Sequence, residues 1–185
     1  MPENIRVYGY HGTSAEAAEV IIQQGFNVSS NDYDWLGTGV YFFQDAPVRA
    51  WEWATQQHPT NPAVIRSTIR LEDCIDLLDI EWFPIIREAY TVFVEEFRQA
   101  NRPLPRQNPE RSKAHRLDCA YFNYLVEQIL NPQVESIRVI RGIFVEGERI
   151  FPNSAVFDRA HIQISVRDIS LIEESYLIDS EGELL

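Results

Sequence analysis

The stretch "NIRVYGYHGTSAEAAEVIIQQGF", residues 4–26, decides how the chain is read, because its periodicity changes midway. Residues 4–11 alternate, with Ile5, Val7 and Gly9 on the parity of His11, which predicts a strand ending at the histidine. Thr13 with Glu16 three positions on forms a capping box. Ala18, Ile21 and Ile22 then step at helical spacing until Gly25 stops the helix. A strand-to-helix junction is therefore expected at "HGT". Taken alone, His11 reads as a structural histidine at a turn.

Outward from that junction, the polar loop "NVSSNDYDWLGTG" leads to a short aromatic strand, "VYFF", residues 40–43. Asp45 is expected to cap a helix from about 46 to 57, with Pro47 tolerated in its first turn. Residues 63–71 alternate, Ile65, Ile69 and Leu71 against Arg66, Thr68 and Arg70, which predicts a half-buried strand. Over 81–99 the apolar positions Phe83, Ile86, Ala89, Tyr90, Phe93, Val94 and Phe97 step at three and four, the pattern of a core helix. "NRPLPRQNPERSKAHR", 101–116, breaks that period with three prolines and gathers Arg102, Arg106, Arg111, Lys113 and Arg116 into an exposed basic loop. A second helix follows over 117–130, with Asp118 at its capped start and Pro132 just past its end. Strands return at 136–146, 160–168 and 169–177. Helices fall between strands near both ends while the longest cluster in the middle, so the expectation is one α+β domain over residues 1–185.

The totals narrow the function. The 185 residues are 45% hydrophobic, enough for a real core. Against 16 basic residues stand 28 acidic ones, a net charge of −12 that argues against general affinity for nucleic-acid phosphates, so any such contact would be local. No signal-peptide pattern or membrane-length apolar run is seen, so a soluble, cytoplasmic protein with no membrane partner is expected. Cys74 and Cys119 lack the paired spacing of a zinc site or disulfide framework and read as buried free thiols. The four histidines form no i, i+4 pair, and no metal is expected.

"YHGTS", a helix ending in "GF", and then "DWLGTGVYFFQDAPVRAWEWA" together resemble the His-Tyr branch of the ADP-ribosyltransferase superfamily, which includes diphtheria-toxin-like and poly(ADP-ribose) polymerase catalytic domains. The resembling parts span residues 6–168. The resemblance implies a split β-sheet with flanking helices, and NAD as substrate in a cleft between the half-sheets, bounded by the early strands and the strand of the 160s. It also implies mono-ADP-ribosyl transfer of the bacterial toxin or effector type, to a protein or nucleic-acid acceptor, with a cognate inhibitor as a further partner. Breaking the nicotinamide–ribose bond builds positive charge on the sugar, so such a site holds nicotinamide flat, fixes the ribose and places the acceptor nearby. By resemblance, His11 bonds a ribose hydroxyl, the Gly12 backbone grips the carboxamide and Tyr41 stacks on the nicotinamide ring. Thr13 and Gly39 line the cofactor, and Trp51 or Trp53 closes its other face.

Aligning "HIQISVRDI" with the late family strand puts Gln163 where the catalytic glutamate usually stands. Alternation turns His161, Gln163 and Ser165 one way and Ile162, Ile164 and Val166 the other, which suggests an open-facing site. The amide oxygen of Gln163 can accept a ribose hydrogen bond, but the residue carries no charge and is no base. Glu146 and Glu148 in "FVEGERIF" are replacement carboxylates on the acceptor side, or else a solvated turn around Gly147. Arg106 and Arg111 are candidate contacts to a nucleic-acid acceptor. Two alternatives stay open: NAD glycohydrolysis, with water as acceptor, and a binding module for NAD or ADP-ribose in which chemistry is too slow to matter.

Overall fold

The computed structural model of the protein describes residues 5–107, 114–132 and 136–185. The architecture is α+β. Among the described residues seven strands, β1 (Arg6–Ser14), β2 (Val40–Gln44), β3 (Pro62–Arg70), β4 (Cys74–Asp76), β5 (Val139–Phe144), β6 (His161–Val166) and β7 (Ile172–Ile178), form one sheet in the order β4-β5-β6-β2-β1-β3-β7. All neighbours are antiparallel except β4 and β5. Among the described residues four α-helices accompany it: α1 (Ala15–Gln24), α2 (Pro47–Gln57), α3 (Trp82–Gln99) and α4 (Arg116–Tyr124). The chain beyond α4 winds on as a π-helix over Leu125–Leu130, where a plain α-helix to residue 130 is expected.

Alternation along the strands sorts the core into two faces. On one, α1 packs through Ala18 on Phe26, Val40, Phe42, Ile65, Ile69, Ile164 and Val166. On the other, α3 and α4 cover the β4-β5 half through Phe93, Tyr121, Phe122, Ile75 and Ile140. On that same face α2 covers the β1-β3-β7 half through Ala50, Ala54, Phe43, Val64 and Ile178. The strip between these two helical blocks runs over β2 and β6.

Several boundaries move from their expected places, each for a tertiary reason. β1 continues past His11 to Ser14 because β3 pairs with it through Ser14↔Pro62. Thr13 is thereby buried in the sheet, so Ser14, not Thr13, caps α1, its side chain accepting from the Ala17 N–H at 3.2 Å. Gly25, with φ 88, ends α1 as expected. Asp45 does not cap α2: it adopts a left-handed turn, φ 50, and its N–H donates to Tyr8 O at 2.9 Å, leaving Ala46 at the cap with no side-chain bond. Nor does Asp118 cap α4. Gln107 Oε1 accepts from the N–H groups of Leu117 and Asp118 at 3.0 and 3.1 Å, and the Asp118 carboxylate accepts from Gln107 Nε2. β4 goes unread in the sequence, since three residues show no period, and Ile169–Leu171 is a 3-10 turn before β7.

Candidate functional site

The sheet is continuous where the cleft is expected: β2 and β6 pair through Val40↔Val166, Tyr41↔Ser165, Phe42↔Ile164 and Phe43↔Gln163. The pairing is shortest instead between β1 and β2. Those strands register only at Gly9↔Gln44 and Tyr10↔Phe43, after which β1 keeps its pairing with β3 and β2 keeps its pairing with β6. Tyr8 O accepts from Asp45 N, so the even-numbered N–H and C=O groups of β1 point toward β2. Two residues past Tyr10, Gly12 therefore turns its backbone edge toward β2 beyond the last paired residues. Its would-be partner, Tyr41 O, is taken by His11 Nδ1 at 2.9 Å.

That bond fixes the imidazole. Nδ1 carries the proton it donates to Tyr41 O, which leaves Nε2 as a lone-pair acceptor. The ring packs edge-on to Phe26 at 5.4 Å and tilted on Phe42 at 5.8 Å. Burial among them holds its pKa below the ordinary 6.5, so His11 is neutral at neutral pH.

Tyr41 does not face His11. Its side chain leaves the opposite side of the sheet and joins Leu36, Ile75 and Ile140, while Phe42, its neighbour, joins His11. The phenol donates to Gly37 O at 2.7 Å and accepts from Leu36 N at 2.9 Å, so it anchors the 34–39 loop, and burial raises its pKa. The imidazole and the phenol thus meet through the Tyr41 carbonyl and not across one crevice. Gly39 is packed so closely on Ser165 that a Cβ would strike its Oγ.

Gly12 lies against α2. A Cβ there would run into the carbonyl oxygen of Ala50 and come within 3.2 Å of Trp53 Cδ1. Trp53, 40% exposed, is therefore the tryptophan beside Gly12. Trp51 is engaged elsewhere, donating through Nε1 to Asp179 O at 2.8 Å. A depression of about 420 Å³ on the far side of α2 is lined by Val48, Trp51, Glu52, Thr55 and Arg159 and includes none of His11, Gly12, Tyr41 or Gln163.

Gln163 shares the face of Tyr41, half-buried, between β2 and β5. Its two flanking residues on that face are not open to solvent: His161 is 8% exposed and Ser165 is fully buried. The Gln163 Oε1 accepts from Trp35 Nε1, so the amide presents its NH2, a donor, where an acceptor is expected from sequence. Trp35 escaped sequence reading because its bond spans 128 residues. Gly142, beside Gln163 on β5, is the position that leaves room for the Trp35 ring, whose Cη2 lies 2.9 Å from where its Cβ would stand.

Around Phe43 lies a charged cluster. Arg49 stacks on the ring at 5.5 Å, bonds Glu52, and bonds Glu146 at 2.9 Å. Glu146 stands at the foot of a hairpin-like excursion pinned by Asp158 N to Glu148 O, 3.0 Å, and Ile150 N to Val156 O, 3.1 Å. Glu148 is exposed, its N–H donating to Asp158 Oδ1 at 2.8 Å. Of the basic loop, Arg102 stacks on Phe97 at 5.1 Å, Arg116 pairs with Asp32, and Arg106 is exposed; Arg111 and Lys113 lie outside the described residues.

Half-buried His11 and buried His161 make stability pH-dependent. Burial lowers the pKa of His11 and of His161 below 6.5, so below that pH the unfolded chain takes up protons that the folded one refuses. Stability is then lost as pH falls, by up to about 1.4 kcal/mol per pH unit for each histidine. Urea midpoints are expected to drop between about pH 7.5 and pH 5.5, and His161→Gln to flatten that dependence.

No group of three or more potential metal-ligating side chains occurs among the described residues, and no helix among them is long and apolar enough to cross a membrane. Both cysteines are free and buried, and burial pushes the Cys74 thiol up to about 12, so it is no nucleophile. No protein-family model matches the chain, and no curated protein matches it.

Proposed function

We propose that the chain is an NAD-dependent mono-ADP-ribosyltransferase of the split-sheet, ADP-ribosyltransferase-like class. The observation that carries the reading is the end of β1–β2 pairing at Tyr10↔Phe43, with a neutral His11 clamped on Tyr41 O and the Gly12 backbone turned toward β2 beyond it. In this reading the Gly12 N–H and C=O take the nicotinamide carboxamide, donor to oxygen and acceptor to NH2. His11 Nε2 accepts from a ribose hydroxyl, Trp53 covers the nicotinamide, and the Gln163 amide donates to the sugar. The C1′–nicotinamide bond breaks with its electron pair leaving on nicotinamide, and the sugar passes to an acceptor.

Incubation with labelled NAD in cell extract is expected to label macromolecules. Loss of label on protease treatment identifies a protein acceptor, and loss on nuclease a nucleic acid. For the latter, salt-sensitive RNA binding should disappear when Arg106 and Arg111 are neutralised. Free ADP-ribose without labelled macromolecules identifies glycohydrolysis, and absence of both products together with absence of NAD binding overturns the proposal.

A binding module is the second reading, favoured by the uncharged Gln163 held by Trp35. NAD binding without turnover, with turnover gained on Gln163→Glu, would establish it. Trp35→Phe is expected to free the amide to rotate and to change NAD turnover by about tenfold in the transferase, at little cost in stability, since one part-buried hydrogen bond contributes about 1 kcal/mol. Parallel kinetics and urea melts check this.

A further inference from the structure

The turn over residues 36–38, just ahead of β2, is fastened by side chains from three elements. From β2, the Tyr41 hydroxyl accepts from Leu36 N at 2.9 Å and donates to Gly37 O at 2.7 Å. From β6, Ser165 Oγ donates to Thr38 O at 3.2 Å. From α4, Asn123 Oδ1 accepts from Thr38 N at 2.8 Å. Backbone groups of three consecutive residues are thus met by side chains and not by a strand ladder, so the turn stands where those side chains put it. Trp35 is the residue just before it. Its ring tilts on Phe144 at 5.2 Å and its Nε1 donates to Gln163 Oε1.

Asn123 is held to this turn from two sides. Gly37, in the left-handed region at φ 77, lies so near that a Cβ would run into Asn123 Oδ1. Arg167, whose side chain is 11% exposed, also donates to Oδ1 through Nη2. Two donors converge on one atom, which identifies it as the amide oxygen, while Nδ2 lies 3.8 Å from Cys119 Sγ. Asparagine is among the weaker helix formers, yet it stands inside α4, so its place there is set by what its oxygen holds. An independent irregularity marks the same point. The helix carrying Asn123 widens from α to π at Leu125, and Glu127 in that π turn is the carboxylate 3.7 Å from Arg167 Nη1.

We propose that Asn123 is a positioning residue of the site: by fixing the backbone at Thr38 it holds Trp35 where the indole N–H orients the Gln163 amide toward the sugar of NAD. The proposal rests on the transferase reading above. Asn123 touches neither Gln163 nor the ligand in this role, and its effect passes through the turn. Ser165 anchors the other side of Thr38 from the strand that carries Gln163, so the turn and the amide share one support on β6. Losing the Asn123 oxygen frees the α4 side of the turn and leaves both Thr38 N–H and Arg167 Nη2 short of an acceptor.

The test is a mutant cycle read in the initial rate of nicotinamide release from NAD by the full chain in cell extract. Asn123→Leu keeps the size and removes the oxygen. It is expected to change kcat in the same direction as Trp35→Phe and by the same factor, about tenfold, with KM for NAD changed less than about threefold because Gly12 and Trp53 are untouched. Combining the two changes should still give about tenfold, whereas independent effects would multiply to about 100-fold. Asn123→Asp keeps an acceptor for both donors and should restore kcat. The Trp35 indole N–H signal in a proton–nitrogen NMR spectrum, identified by its loss in Trp35→Phe, should move in Asn123→Leu and stay in Asn123→Asp. Should Asn123→Leu fail to fold, Asn123→Gln keeps the amide and carries its oxygen outward by about 1.5 Å; a changed kcat that disappears on the Trp35→Phe background then supports the role. Parental kcat in a folded Asn123→Leu or Asn123→Gln, multiplied effects in the combined variant, or an unmoved indole signal overturns this assignment and leaves the transferase reading in place. An unmodified chain that releases no nicotinamide overturns both.

Discussion

His11→Ala is expected to lower nicotinamide release by about 100- to 1000-fold, the scale of losing one positioned polar group at a developing charge. The imidazole has two separable tasks. Nδ1 satisfies Tyr41 O at 2.9 Å, which the β1–β2 ladder no longer reaches, and Nε2 is the acceptor that the proposed transferase reading assigns to a ribose hydroxyl. Alanine removes both and opens a void between Phe26 and Phe42, so unfolding free energy should fall by about 2–3 kcal/mol as well. His11→Asn divides the tasks: its amide NH2 can replace Nδ1–H, but nothing replaces Nε2. Stability should recover most of its loss while turnover stays low. Turnover by the asparagine variant at the parental rate would remove His11 from the reacting end of the site and leave it a clamp for the split strands.

Phe42→Ala is expected to cost about 3–5 kcal/mol of unfolding free energy, the largest stability effect of any single change considered. The ring is fully buried where β1, β2 and α1 meet. It packs on Phe26 at 5.2 Å and on His11 at 5.8 Å, and the Gly9 backbone lies so close that a glycine Cβ would come 2.9 Å from its Cβ. Neighbours this rigid cannot collapse into the space, so the cavity term adds to the lost transfer free energy. Phe42→Leu, which keeps most of the volume, should lose far less. Urea unfolding of both variants measures the difference; equal small losses would mean that the β1–β2 joint is not the keystone of the sheet.

How far each feature could be read follows from the range of the interaction behind it. α3 is legible because the apolar positions from Phe83 to Phe97 repeat within one element, and Trp82–Gln99 forms as the period says. The end of α1 at Gly25 is legible because a left-handed residue after a helix is a local requirement. By contrast, β1 runs on to Ser14 only because Pro62 and Ala63 are there to pair with it, and β4 exists only because β5 lies beside it. A three-residue strand carries no pattern of its own.

The candidate site divides in the same way. His11, Gly12 and Gln163 can be picked out as residues, and alternation assigns their faces. That His11 and Tyr41 would leave opposite faces is implicit in their strands but invisible until the register Tyr10↔Phe43 is known, because a shift by one residue would reverse it. The direction of the Gln163 amide depends on Trp35, and the placement of Glu146 depends on Arg49, partners 128 and 97 residues away. By itself the sequence determined the periodic elements, the helix stop at Gly25 and the chemical identity of the groups available. The tertiary structure alone decided where the pairing of β1 with β2 stops, which polar atoms are paired and which are left bare, since hydrogen bonds between side chains far apart in the chain leave no trace in local period or capping.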